Sequence, residues 1–200
     1  MSPGATFERV YGAIKQMLLD GELPPGTPIE PAVIGREIAA SITPVRDALH
    51  RLTGERLVEA PNHNGFRVPL LSEAALRDLY QWNGRVLGLA ARQVQPASDT
   101  HLQHSGSIEE ITATLFLRVA QATESAEHVA TVGSLNDRLT NVRRAEVATL
   151  PAIADEITGL ESVITAGDKV ALMAALTRYH RRRIAAVAGT IAHLMSLSRR

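Results

Sequence analysis

Thr43-Pro44-Val45-Arg46-Asp47-Ala48-Leu49 decides the fold of the first third of the chain. A threonine hydroxyl can accept from an amide of a first helical turn, and proline directly after it gives up only an N–H that has no partner there. Val45, Ala48, Leu49 and Leu52 recur at helical spacing. A helix capped by Thr43 therefore buries these four and turns Arg46, His50 and Thr53 outward.

Working outward, Phe7, Val10, Tyr11, Ile14, Met17 and Leu18 form a second stripe at helical spacing, which predicts a helix over 6–19 capped by Thr6. Gly21-Glu22-Leu23-Pro24-Pro25-Gly26 ends it. A short helix is predicted from Pro31 or Ala32 to about Ala39. On the other side, Leu57–Ala60 and Phe66–Pro69 read as two strands joined through Asn64-Gly65, the dipeptide that best satisfies a tight hairpin turn. Three helices followed by a hairpin make a winged helix-turn-helix over residues 1–71.

From Ser72 the strand signals vanish. Helices are predicted at 73–94, 107–123, 126–149, 152–166 and 168–198, with a loop at 95–106, so residues 72–200 read as an all-α bundle. The fold class is mostly α, with a winged head and a helical remainder. Complete absence of cysteine excludes disulfides, thiolate metal sites and cysteine nucleophiles. No apolar run is long enough to span a bilayer and no signal-peptide pattern opens the chain, so a cytoplasmic protein with no membrane partner is expected. No nucleophile-base constellation, phosphate loop or metal cluster is visible, which argues against an enzyme, and no cofactor is expected.

Charge argues the other way from a nucleic-acid partner. The 200 residues hold 21 basic and 21 acidic side chains, and residues 1–71 hold seven Lys/Arg against eight Asp/Glu. Affinity for a duplex must come from local placement of cations, with few phosphates neutralised per subunit.

Three stretches, Gly21-Glu22-Leu23-Pro24-Pro25-Gly26, Thr43 to Leu49, and Leu57-Val58 ahead of an Asn-Gly wing, resemble in order and spacing the GntR family of bacterial regulators. The helical remainder is similar to the C-terminal domain of its FadR-like subfamily, in degenerate and shortened form, with Ala166-Gly167-Asp168 before the closing helix. The resemblance implies a homodimer that binds double-stranded DNA at a pseudo-palindromic operator, with a small-molecule effector in the bundle altering the separation of the two recognition helices. It also marks departures. Ile42 stands where the family usually has a DNA-contacting arginine, and Ala32 replaces a second one early in the preceding helix, after Pro31 in place of a glutamate. The subfamily's four metal-ligand positions fall on Ala113, Leu117, Ile157 and Tyr179, with His180 one residue beyond the last, so no metal is expected.

The residues expected to meet DNA are Arg36, Ser41, Thr43, Arg46, His50, His63, Gly65 and Arg67. Arg46 would reach base edges from the entering end of a recognition helix, Ser41 and Thr43 would donate to phosphate, and Gly65 would let the wing backbone approach a groove. Each also has an ordinary reading as a solvated, capping or turn residue. Arg181-Arg182-Arg183 spreads over about 200° of a helix and is read as solvated or salt-bridging between subunits. His101 and His104 lack a third ligand. Gly84 and Gly88, four apart on one helix, allow close helix packing or open space for a ligand, and packing is the preferred reading. The competing function is a ligand-binding or protein-interaction dimer whose head no longer recognises an operator.

Overall fold

The structure, a computed structural model, describes residues 3–61, 65–95 and 106–197. His63, Pro96, His101 and His104 lie outside them. The chain forms two compact units, Met1–Leu71 together with Leu194–Arg200, and Ser72–His193.

In the first unit, α1 (Pro3–Asp20), β1 (Pro28–Ile29), α2 (Pro31–Glu37), α3 (Ile42–Gly54) and β2 (Phe66–Arg67) enclose one core. Val10 and Ile14 of α1, Ile34 of α2, Val45, Ala48, Leu49 and Leu52 of α3, and Phe66 and Val68 beside the sheet are all buried. Each of these side chains larger than alanine contributes roughly 1.5–3 kcal/mol by leaving water. The head's helical stripes were therefore read on the correct faces.

Three local expectations are corrected. Helix α1 begins at Pro3 rather than after Thr6. Helix α3 begins at Ile42 with Ser41 at the cap position, so Thr43 and Pro44 lie inside its first turn. Proline fits there because the first-turn amides have no helical acceptor in any case. The predicted 57–60 strand is reduced to a single bridge, Glu59 to Arg67. The amides of Leu57 and Val58 turn back to the Leu52 carbonyl at 3.0 and 3.3 Å and close the end of α3, so these two residues cannot pair as a strand. Instead β2 pairs antiparallel with β1, Pro28 opposite Arg67 and Ile29 opposite Phe66.

The second unit contains α4 (Glu73–Ala91), α5 (Ile108–Gln121), α6 (Ala126–Thr149), α7 (Ile153–Ala166) and α8 (Lys169–Leu197), the last of which ends in the first unit's residues. Serine sets three of the starts. Ser72 accepts from the Ala75 amide, Ser107 and Glu110 form a reciprocal capping box, and Ser125 accepts from His128. Among the described residues no helix is long and apolar enough to cross a membrane.

Candidate nucleic-acid interface

The turn between α2 and α3 is held by fixed backbone contacts. The Ala40 amide donates to the Gly35 carbonyl at 2.8 Å, and a Cβ on Gly35 would stand 2.8 Å from the Ala40 oxygen, closer than atoms tolerate. Ala39 takes a left-handed conformation, φ 51°. Arg9 reaches across from α1 and donates to the Ile38 carbonyl at 3.0 Å. With the turn fixed, the start of α3 is presented outward: Ser41, Ile42, Thr43, Arg46 and His50 are all exposed. Neither Ser41 nor Thr43 uses its hydroxyl to cap the helix, which leaves both free to donate to an oxyanion.

The Arg46 guanidinium has no hydrogen-bonding or ionic partner among the described residues, and neither does that of exposed Arg36 on α2. Ala32, Gly35, Arg36, Ala39, Ala40, Ser41 and Ile42 line an open cleft along this edge. Its apolar rim includes Ile42, 51% exposed, at the position where the resemblance implies an arginine.

The other expected residues fall into two groups. Exposed Gly65 adopts φ 85°, a conformation that favours glycine, with open space where a Cβ would point. Arg67 is also exposed, but its guanidinium sits 2.7 Å from Glu59 across the bridge, so its charge is already matched. His50 leans its ring edge-on against Phe66 with centroids 5.0 Å apart, tying α3 to β2. Thr53 corrects the sequence reading: it is half-buried and its hydroxyl donates to the Leu49 carbonyl at 2.8 Å. The sequence reading missed the bracing of α1 on α3. Tyr11 donates to Glu55, Lys15 pairs with Glu55 at 3.2 Å, and Arg51 lies 4.0 Å over the Tyr11 ring.

The interior of the helical unit is more polar than its sequence suggested. Arg183 is 1% exposed, which overturns the reading of the three arginines as solvated; it donates to Glu146 at 2.8 Å and to Glu156 at 2.9 Å, over the Tyr179 ring. Tyr80 donates to the other Glu146 oxygen. Arg182 is partly exposed and pairs with Glu156, while Arg181 is exposed. Gly84 and Gly88 keep the packing reading: a Cβ on Gly84 would meet the His180 ring at 3.2 Å and one on Gly88 would touch Met173 at 3.7 Å. Among the described residues no group of three or more His, Cys, Asp or Glu could hold a metal ion. Ile157 and Tyr179, two of the four family positions, are packed into the core.

His180 is buried, its Nδ1 2.7 Å from the Leu176 carbonyl and its Nε2 3.1 Å from the Asn83 amide nitrogen. That pairing makes Nδ1 the donor and Nε2 the acceptor, which is the neutral ring. Burial is the main cause that pushes its pKa down to about 4; the Leu176 carbonyl opposes this, and Arg183 and Arg143 add to it. The unfolded chain, with an ordinary histidine, therefore binds the extra proton over the window from about 6.5 down to about 4. Stability from this residue is fully present above the window and falls as pH drops through it, by about 3 kcal/mol in all. His180→Gln should flatten that part of the stability profile. Denaturant midpoints at a series of pH values check this, and equal slopes for the two proteins would refute it.

Residues 6–68 match the family described as bacterial regulatory proteins, gntR family. Two curated relatives align with part of the chain. One is the uncharacterized HTH-type transcriptional regulator YdhC of Bacillus subtilis, 25% identical over 79 residues, 40% of this chain and 35% of the relative. The other is the HTH-type transcriptional repressor GlaR of Escherichia coli, 31% identical over 70 residues, 35% of this chain and 32% of the relative. The alignments thus span about a third of either relative. Two solved structures share the fold over most of the chain. E. coli McbR/YncC superposes with TM-score 0.65 at 18% identity, covering 92% of this chain and 97% of that one. A putative transcriptional regulator GntR from Rhodococcus sp. RHA1 gives TM-score 0.71, also at 18% identity, covering 92% and 98%. Residues 6–68 thus form a winged-helix head that is similar to the gntR family of bacterial regulatory proteins.

Proposed function

We propose that the chain is a cytoplasmic transcriptional regulator of the GntR type, in which residues 1–71 bind a pseudo-palindromic operator and residues 72–200 join two copies and receive a small-molecule effector. Arg36, Ser41, Thr43, Arg46, His50, His63, Gly65 and Arg67 form the DNA contact surface. One observation carries this reading. At the amide end of α3 the exposed side chains include two hydroxyls not spent on capping and a cation with no side-chain partner among the described residues. A helix N-terminus with its free amides suits phosphate, and an arginine one turn in reaches base edges. The dimer follows from the size of the head, which reads one half-site and gains affinity by linkage to a second.

The second reading, a dimer whose head has lost operator recognition, is favoured by Ile42, Ala32 and the zero formal net charge of the chain. Selection of bound fragments from genomic DNA by the full chain, followed by sequencing, separates the two. Enrichment of one inverted repeat, with light scattering that reports two chains per particle, is the expected result. Fragments enriched without a common motif would favour the second reading, and a monomer at micromolar concentration would remove the dimer.

A further inference from the structure

Ile42, the first residue of α3, is 51% exposed and lies outside the core of the head. The core needs nothing from it, since Val45, Ala48, Leu49 and Leu52 supply the buried face of that helix. A β-branched side chain in a helix is held close to one rotamer, so its apolar surface points in a fixed direction without help from neighbours. Ile42 shares the open cleft with exposed Ala32 and Ala39, which makes an apolar patch at the entering end of α3. The surroundings of that patch suit a nucleic acid rather than an apolar protein surface. It is flanked by the guanidinium groups of Arg36 and Arg46, which have no partner among the described residues, and by the hydroxyls of Ser41 and Thr43, which are not spent on capping. Groups of these two kinds are complementary to phosphate oxygens.

Arg46 follows Ile42 by one helical turn and His50 follows Arg46 by another, so the three lie along one exposed side of α3. The rise from Ile42 to Arg46 is about 6 Å, slightly less than two base steps. A helix that lays this side in a major groove brings Ile42 against a base edge close to the one under Arg46. The four bases do not meet an isoleucine equally. Guanine and adenine present polar ring and exocyclic atoms in that groove and cytosine an amino group, and each would lose water to a side chain that cannot hydrogen-bond. Thymine presents a methyl group there.

We infer that Ile42 reads the 5-methyl group of one thymine in each half-site, packing against it in the major groove. The operator of this chain is marked by a T·A pair at that position, where an arginine in place of Ile42 would select guanine. The inference rests on operator binding by the head and deepens it by naming one base and the side chain that selects it. A chain that enriches no common motif overturns both. A chain that enriches one, with every thymine methyl silent, overturns the inference alone.

The test begins with selection by the full chain from a synthetic random duplex, in which no cytosine is methylated and thymine is the one source of a 5-methyl group. Each thymine of the selected operator is then replaced, in both half-sites together, by deoxyuridine, which removes the methyl and keeps the pairing. One replacement is expected to raise Kd about fifteenfold, or about fourfold per half-site, the effect of one buried methyl-sized group. Ile42→Ala should bind the thymine duplex about that much more weakly and give the same Kd for the thymine and deoxyuridine duplexes at that position. Ile42→Gln, polar and a good helix former, should lose the deoxyuridine penalty likewise and serves if the alanine variant does not fold. A thermal melt beside each titration reports folding. A purely structural Ile42 would weaken all duplexes in either variant and keep the penalty. An operator in which no deoxyuridine replacement matters, or a penalty undiminished in the folded variant, would overturn the inference.

Discussion

Arg46→Ala is expected to weaken binding to the selected operator by roughly 1–3 kcal/mol per half-site, so about 2–6 kcal/mol on a two-fold site, or a factor of thirty and upward. Exposed one turn into α3, the Arg46 side chain has no partner among the described residues to compete with a base. The fold should be unaffected, because a cation at the positive end of a helix dipole is slightly unfavourable and its removal relieves that. Base contact and phosphate contact are distinguishable. A lost base contact relaxes preference at one base pair, whereas a lost phosphate contact weakens all duplexes alike and makes the salt dependence shallower by about one unit per half-site. Affinities on cognate and scrambled duplexes at several salt concentrations, beside a thermal melt, supply the measurement. Unchanged affinity with an intact fold would take Arg46 out of the interface.

Glu146→Leu should lower the stability of the helical unit by about 3–5 kcal/mol, a fall in melting temperature on the order of 10 °C. Glu146 and Arg183 are each 1% exposed and join α6 to α8 at 2.8 Å. Removing the carboxylate leaves Tyr80 without its acceptor and Arg183 dependent on Glu156, at 20% exposure the wetter of its two partners. Burial lowers the affinity of Arg183 for its proton, but Tyr179, Glu146 and Glu156 together hold its pKa above the ordinary value, so the cation persists. The double variant Glu146→Leu with Arg183→Met should recover much of the loss, because an apolar pair of similar volume carries no desolvation cost. A single variant within about 0.5 kcal/mol of the parent would show that the pair does not hold the two helices together.

Where burial repeats at helical spacing, the sequence was legible. The predicted 126–149 helix is α6 residue for residue, and Val45, Ala48, Leu49 and Leu52 of α3 are buried as their spacing required. What escaped has identifiable causes. β1 is two residues long, too short to show any alternation, and its partner lies far along the chain. Threonine and proline in succession favour a cap of α3 on Thr43, yet the turn fixed by Gly35 and Ala40 starts the helix two residues earlier. Arg183 was misread because three adjacent arginines invite treatment as one patch. The spacing Leu172, Leu176, Tyr179, Arg183, Val187 places the third of them on the buried face of α8, and that pattern could have separated it. Arg143 was legible in the same way, four residues after Leu139 and next to Val142. At the candidate interface the exposed placement of Ser41, Thr43, Arg46 and Gly65 follows from local geometry, whereas the Glu59 contact of Arg67 depends on a strand pairing the sequence did not reveal.

That cross-bridge pairing bears on how the head would find its target. Lys15 is committed to Glu55, Arg51 to Glu8 and Glu55, and Arg67 to Glu59, while Arg9 is spent on backbone carbonyls. The positive field of the head is therefore largely closed on itself and decays within a Debye length, about 8 Å in physiological salt. A duplex approaching from farther away feels little pull, so encounter runs at the unsteered pace of about 10⁵–10⁶ M⁻¹s⁻¹ rather than the far higher rates of strongly basic heads. Residence on random sequence is correspondingly brief, which shortens one-dimensional sliding and leaves the search to repeated collisions from solution. The occupancy of an operator would then be governed by how slowly the head leaves it.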